Sequence, residues 1–131
     1  MDQALRILIV DDMPAMRVIL KDMLQQLGFK RIAEAEDGEL AWQLIQQAAS
    51  HPQKAFGLVI SDWNMPGLSG VELLRSVRST TATRELPFFM VTGVGDQTHL
   101  AEAVNAGVTD YVVKPFNLQQ LGEKIGNLFD G

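Results

Sequence analysis

Five side chains stand out by position: Asp11, Asp12, Asp62, Thr92 and Lys114 each close a short apolar run of the chain. If folding gathers them, the chemistry is constrained. Carboxylates a few ångströms apart repel by about 4 kcal/mol per close pair at an effective dielectric of about 20. Such a cluster takes up protons or binds a cation. Oxygen ligands without sulfur or imidazole suit a hard ion, and Mg2+ fits a site of few carboxylates with retained waters. Mg2+ on carboxylates, faced by an ammonium and a hydroxyl, is a phosphoryl-transfer layout. Cys is absent, and the two histidines, His51 and His99, lie away from these positions. One of the carboxylates is then the phosphoryl acceptor, through an acyl phosphate. Plain readings compete: Asp12 as a helix cap, Asp62 as a turn residue, Lys114-Pro115 as a surface turn and Thr92 as a strand end. The chemical reading gains weight only if all five share one edge of the fold.

The elements that carry them are legible. Leu5-Arg6-Ile7-Leu8-Ile9-Val10 is β-branched and nearly all apolar, as a strand buried on both faces should be. Pro14 suits a first helical turn, and Met16, Ile19, Leu20, Met23, Leu24 and Leu27 form an inward stripe that Gly28 ends. Ile32-Ala33-Glu34-Ala35 reads as an edge strand. Asp37 caps a helix whose inward positions are Leu40, Ala41, Leu44, Ile45 and Ala48. Gly57-Leu58-Val59-Ile60-Ser61 is the third strand, and Ser69-Gly70-Val71-Glu72 has the spacing of a capping box. Leu86-Pro87-Phe88-Phe89-Met90-Val91 is the fourth strand, with Pro87 at its first positions. A helix from about Gln97 to Ala106 precedes Tyr111-Val112-Val113, and Asn117 caps a last helix with Leu121, Ile125 and Leu128 inward. Alternation of this length predicts an α/β domain, a parallel sheet with helices on both faces. The strand C-termini of such a sheet share one edge, where ligands bind, so the five residues meet there.

Composition narrows the classes. At 131 residues the chain reads as a single domain over 1–131. A net charge of −5 argues against a nucleic-acid or anionic-membrane partner. The absence of Cys removes disulfides, thiol catalysis and thiolate metal sites. No apolar run approaches the roughly 18 residues of a membrane span. Met1-Asp2-Gln3 does not open a signal peptide, so a cytoplasmic location is expected. His51 and His99 are expected to be solvated, and Trp42 to be partly buried packing.

The segments Leu8-Ile9-Val10-Asp11-Asp12, Glu34-Ala35-Glu36-Asp37-Gly38, Ile60-Ser61-Asp62-Trp63-Asn64-Met65-Pro66 and Tyr111-Val112-Val113-Lys114-Pro115-Phe116 resemble the receiver domain of two-component response regulators. The resemblance spans nearly the whole chain and is closest to the family's CheY-like chemotaxis members. It implies the flavodoxin-like sheet order 2-1-3-4-5. It also implies that Asp62 accepts a phosphoryl group from the phosphohistidine of a sensor kinase. Asp12, Asp62 and the Asn64 carbonyl would bind Mg2+, with Asp11 acting through water. Lys114 and Thr92 would hold phosphoryl oxygens, joined by the backbone N–H groups of Trp63 and Gly93. Tyr111 would be a switch rotamer, and the Lys114-Pro115 bond cis. The output surface would comprise the fourth helix, fifth strand and fifth helix, controlling a protein target such as a flagellar motor component. The chain would be no enzyme toward outside substrates, catalysing only its own phosphorylation and dephosphorylation.

Two departures from the family pattern follow the fourth strand. Val94-Gly95-Asp96-Gln97 replaces the lysines common among motor binders, and Val94 stands where an acidic residue often adjoins the attacking water. Residues 51–55 make a longer loop than in close relatives. The alternatives are a receiver module of a longer regulator with another output, an aspartate-nucleophile phosphatase, a flavodoxin-like nucleotide or flavin binder, and a phosphorylation-independent binding module. Asp62 is followed by Trp63-Asn64, which lacks the second acid of a D-x-D phosphatase, and no Gly/Ser/Thr-rich phosphate loop follows Val10.

Overall fold

The computed structural model describes residues 4–65, 67–93 and 97–130. Five strands alternate with five helices: β1 (Arg6–Val10), α1 (Pro14–Gln26), β2 (Arg31–Ala35), α2 (Gly38–Ala49), β3 (Leu58–Asp62), α3 (Gly70–Ser79), β4 (Phe88–Thr92), α4 (Gln97–Asn105), β5 (Asp110–Val113) and α5 (Leu118–Asp130). All neighbouring strands pair in parallel, in the order β2-β1-β3-β4-β5. Pro66 and the Val94-Gly95-Asp96 departure lie outside the described residues, and the side chains of residues 97, 98 and 130 are not among those described.

Strand alternation divides the interior into two cores. Leu8, Val10, Val59, Phe88 and Met90 face one side, with Ala41 and Ile45 of α2, Leu74 and Val77 of α3, and Ala103 of α4. Ile7, Ile9, Ile60, Phe89 and Val91 face the other, against Leu20 and Leu24 of α1 and Leu121 and Ile125 of α5. Each large side chain so enclosed contributes about 1.5–3 kcal/mol relative to exposure. Two positions of the expected stripes face outward: Ile19 is 47% and Leu40 36% exposed. Each flanks a narrower buried line, Leu20 and Leu24 on α1 and Ala41, Ile45 and Ala48 on α2. Trp42 is half-buried against the core, as expected.

Local signals set the element ends. Asp37 Oδ1 accepts from the Leu40 N–H at 2.7 Å. Ser69 and Glu72 form both bonds of the capping box. Asn117 Oδ1 accepts from the Gln120 N–H at 2.9 Å, and Gln120 Oε1 accepts in return from the Asn117 N–H at 2.9 Å. Pro87 sits ahead of β4 rather than in it, its carbonyl accepting from the Val59 N–H at 2.9 Å. At the edge of the sheet opposite the strand C-termini, Arg78 gathers several acceptors from separate segments. Its guanidinium donates to the carbonyls of Gly107 (2.8 Å), Arg84 (3.1 Å) and Leu86 (2.6 Å) and to Thr109 Oγ1 (3.3 Å). This ties the end of α3 to the connection between α4 and β5.

Candidate functional site

The strand C-termini bring the acids together. β1 and β3 are adjacent, so Asp11 and Asp12, just past β1, meet Asp62 at the end of β3. One carboxylate oxygen from each of the three lies within 4.8 Å of the others. Asp11 is 1% exposed; its N–H continues the ladder to the Ala35 carbonyl at 3.1 Å, and its Oδ1 accepts from the Met13 N–H at 2.9 Å. Asp12 is exposed and does not cap α1: the cap residue is Met13, whose own side chain makes no capping bond.

Asp62 Oδ1 accepts from the Trp63 N–H at 2.9 Å and pairs with Lys114 Nζ at 3.4 Å. Burial pushes the carboxyls of Asp11 and Asp62 above their ordinary value, and neighbouring acids add to this. Lys114 opposes it at both, as does the Met13 bond at Asp11 and the Trp63 bond at Asp62. Burial wins at each. Two acids held above their usual range beside a third are a site that calls for a cation. An oxygen-only donor set of this kind fits a hard divalent ion.

Thr92 ends β4 and is buried, its carbonyl accepting from the Lys114 N–H at 2.8 Å. The Lys114-Pro115 bond is cis. Among the residues at this rim, Trp63 and Met65 are buried and Asn64 is exposed. Gly93 is exposed, and a Cβ placed there would meet nothing within 4 Å, so this arrangement does not itself demand glycine. Gly70 is different: a Cβ there would lie 2.3 Å from the Asp62 carbonyl and 3.1 Å from Trp63 Cα. Its N–H donates to the Trp63 carbonyl at 2.9 Å, so only glycine lets α3 start against the loop that carries Asp62. Tyr111 is half-buried in β5, with Lys124 Nζ 4.9 Å from its ring centre; Lys124 also pairs with Asp110 at 3.0 Å.

Two features escaped the sequence reading. Arg17, one turn into α1, donates to the Asp11 carbonyl at 2.6 Å and pairs with Glu34 at 3.3 Å. His99 is not merely solvated: its ring stacks on Trp63, with centroids 4.3 Å apart and planes 14° from parallel. The available signal was the four-residue spacing of His99 and Ala103, which puts both on one face of α4.

A parallel sheet in this order, bearing an acid cluster and a lysine at its C-terminal edge, defines a class. The chain matches the response regulator receiver domain over residues 7–126. It is 44% identical over 126 residues to the chemotaxis protein CheY of Pseudomonas aeruginosa, covering 96% of this chain and 97% of that one. It is 38% identical over 130 residues to CheY-3 of Vibrio cholerae, covering 99% and 95%. The crystallised CheY4 of Vibrio cholerae superposes with a TM-score of 0.83 at 30% identity, over 95% of this chain and 98% of that one. The receiver domain of the sensor histidine kinase PA1611 of Pseudomonas aeruginosa, described with a magnesium ion coordinated in its active site cleft, shares the fold with a TM-score of 0.81 at 24% identity, over 97% and 98%. The chain belongs to the response regulator receiver domain family. Within that family it is CheY-like.

Proposed function

We propose that the chain is a phosphoacceptor switch of a two-component chemotaxis system, with Asp62 as acceptor. A carboxylate oxygen of Asp62 attacks the phosphorus of a sensor-kinase phosphohistidine. The P–N bond breaks, the imidazole keeps its electron pair, and an acyl phosphate remains on Asp62. Asp12, Asp62 and the Asn64 carbonyl would hold Mg2+, with Asp11 acting through water, and the ion would supply charge neutralisation for the incoming phosphoryl group. Lys114 and Thr92, with the N–H groups of Trp63 and Gly93, take phosphoryl oxygens. Water attack on the acyl phosphate resets the switch, and no outside substrate is turned over.

The phosphoryl group bonds Thr92 and Lys114 in one arrangement of the loops after β4 and β5, and Tyr111 follows. That differential contact selects the form of the α4–β5–α5 surface that a protein target reads. A cytoplasmic setting and a sensor histidine kinase as donor follow from this reading; among the described residues no helix is long and apolar enough to cross a membrane. The observation that carries the proposal is the carboxylate triad with Lys114 on the same oxygen that meets the Trp63 N–H. Incubation with Mg2+ and acetyl phosphate is expected to add one phosphoryl group to the intact mass, with no adduct on Asp62→Asn. An unmodified wild type, or equal labelling of the variant, refutes the assignment.

A further inference from the structure

α4 is held to the body of the protein differently from the other helices. α3 buries Val71, Leu73, Leu74 and Val77, and α5 buries Leu121 and Ile125. Of the described side chains of α4, only Ala103 is buried. Its exposed pair between Arg75 and Glu102, at 3.5 Å, adds little through solvent. Among the described side chains, a large contact of this helix is His99, one turn before Ala103, stacked at 4.3 Å on Trp63. Trp63 is buried in the same core as Ala103 and is bonded through its own N–H to Asp62 Oδ1. A continuous path thus runs from the Asp62 carboxylate through the backbone of Trp63 and its ring into α4.

We infer that His99 is a positioning residue for the switch: its stack on Trp63 carries a change at the Asp62 carboxylate directly into α4, apart from the route through Thr92 and Tyr111. The inference rests on Asp62 being the phosphoacceptor. When that carboxylate gains a phosphoryl group, the Trp63 N–H has a new acceptor, and its ring moves with the backbone that carries the N–H. A helix with one fully buried side chain among those described offers limited resistance to the ring it is stacked upon, and segments with few buried apolar contacts are those that shift most readily. The near-parallel ring geometry needs a flat partner rather than an imidazole as such. Phenylalanine should preserve the coupling and alanine should remove it.

The test uses the full chain carrying Trp42→Phe, which leaves Trp63 as its one tryptophan, alone and combined with His99→Phe or His99→Ala. Each protein is treated with Mg2+ and acetyl phosphate while intact mass, Trp63 emission and amide hydrogen exchange over residues 97–105 are followed. All three should take up the phosphoryl group. The change in α4 exchange on phosphorylation should appear in the parent and in His99→Phe, and fall about fivefold in His99→Ala, the factor a stacked aromatic pair supports. Trp63 emission should respond in all three, since the signal arises before the stack. An α4 response in His99→Ala equal to the parent's overturns the inference and leaves the acceptor assignment standing. So does a response missing from His99→Phe, α4 protection lost from both variants before the donor is added, or failure of His99→Ala alone to accept the group. If no protein is modified, the acceptor assignment fails, and the inference with it.

Discussion

Asp11 is nearly sealed from solvent while Asp12, its neighbour, is exposed, so adjacent acids of one loop differ in what their charge costs. A folded-state carboxyl above its unfolded value of 3.8 stabilises the fold below that pH, and the contribution is lost as pH rises through the folded value. Asp11 and Asp62 both behave this way, so in chelator their ionisation weakens the fold. Asp11→Asn keeps an oxygen for the Met13 N–H and removes the charge. Its melting temperature in chelator should exceed that of wild type at neutral pH, with the gap closing as pH falls toward 3.8. A gap independent of pH would refute this. Asp12→Asn should add about 1 kcal/mol in chelator, since its charge repels both neighbours and α1 loses no cap. A drop on thermal unfolding would show that Asp12 does support α1.

At the scale of elements, the start of α3 is the tightest fit, with Gly70 against the Asp62 carbonyl and Ser69 and Glu72 closing the capping box. Gly70→Ala forces the strand end or the helix to yield, and should cost about 1–3 kcal/mol. Phosphorylation should slow more than the stability loss alone would explain. Ser69→Ala should cost about 1 kcal/mol and leave the phosphorylation rate nearly unchanged, which separates the cap from the close approach. These contacts were legible because their signals are local: Ser69 and Glu72 sit three residues apart, as do Asn117 and Gln120. The gathering of Asp11, Asp12, Asp62, Thr92 and Lys114 at one rim was legible because parallel strands share an edge. What could not be read was long-range side-chain choice. Arg78 finds carbonyls from separate segments, and His99 finds Trp63 across the gap between α4 and the loop after β3. Periodicity also assigned Ile19 and Leu40 to faces that prove a residue too wide.

For the whole molecule, the acids come from segments some fifty residues apart and meet only when β1 and β3 pair. An ion that bridges them therefore binds the folded state and not the unfolded chain. Mg2+ at about a hundredfold over its dissociation constant should stabilise the protein by about 2.7 kcal/mol, read as a rise in melting temperature that Asp62→Asn abolishes. An equal rise in that variant would place the ion elsewhere. The cluster of bonds around Arg78 has a mechanical consequence. It clamps the chain just beyond one end of α4, whereas Trp63 meets the helix near the other, at His99. A nine-residue helix is about 13 Å long, so one ångström of travel at the far end of such a lever is a tilt of about 4°. With the arginine as fulcrum, a displacement at Trp63 no larger than a bond length would become a change of angle across a whole helix.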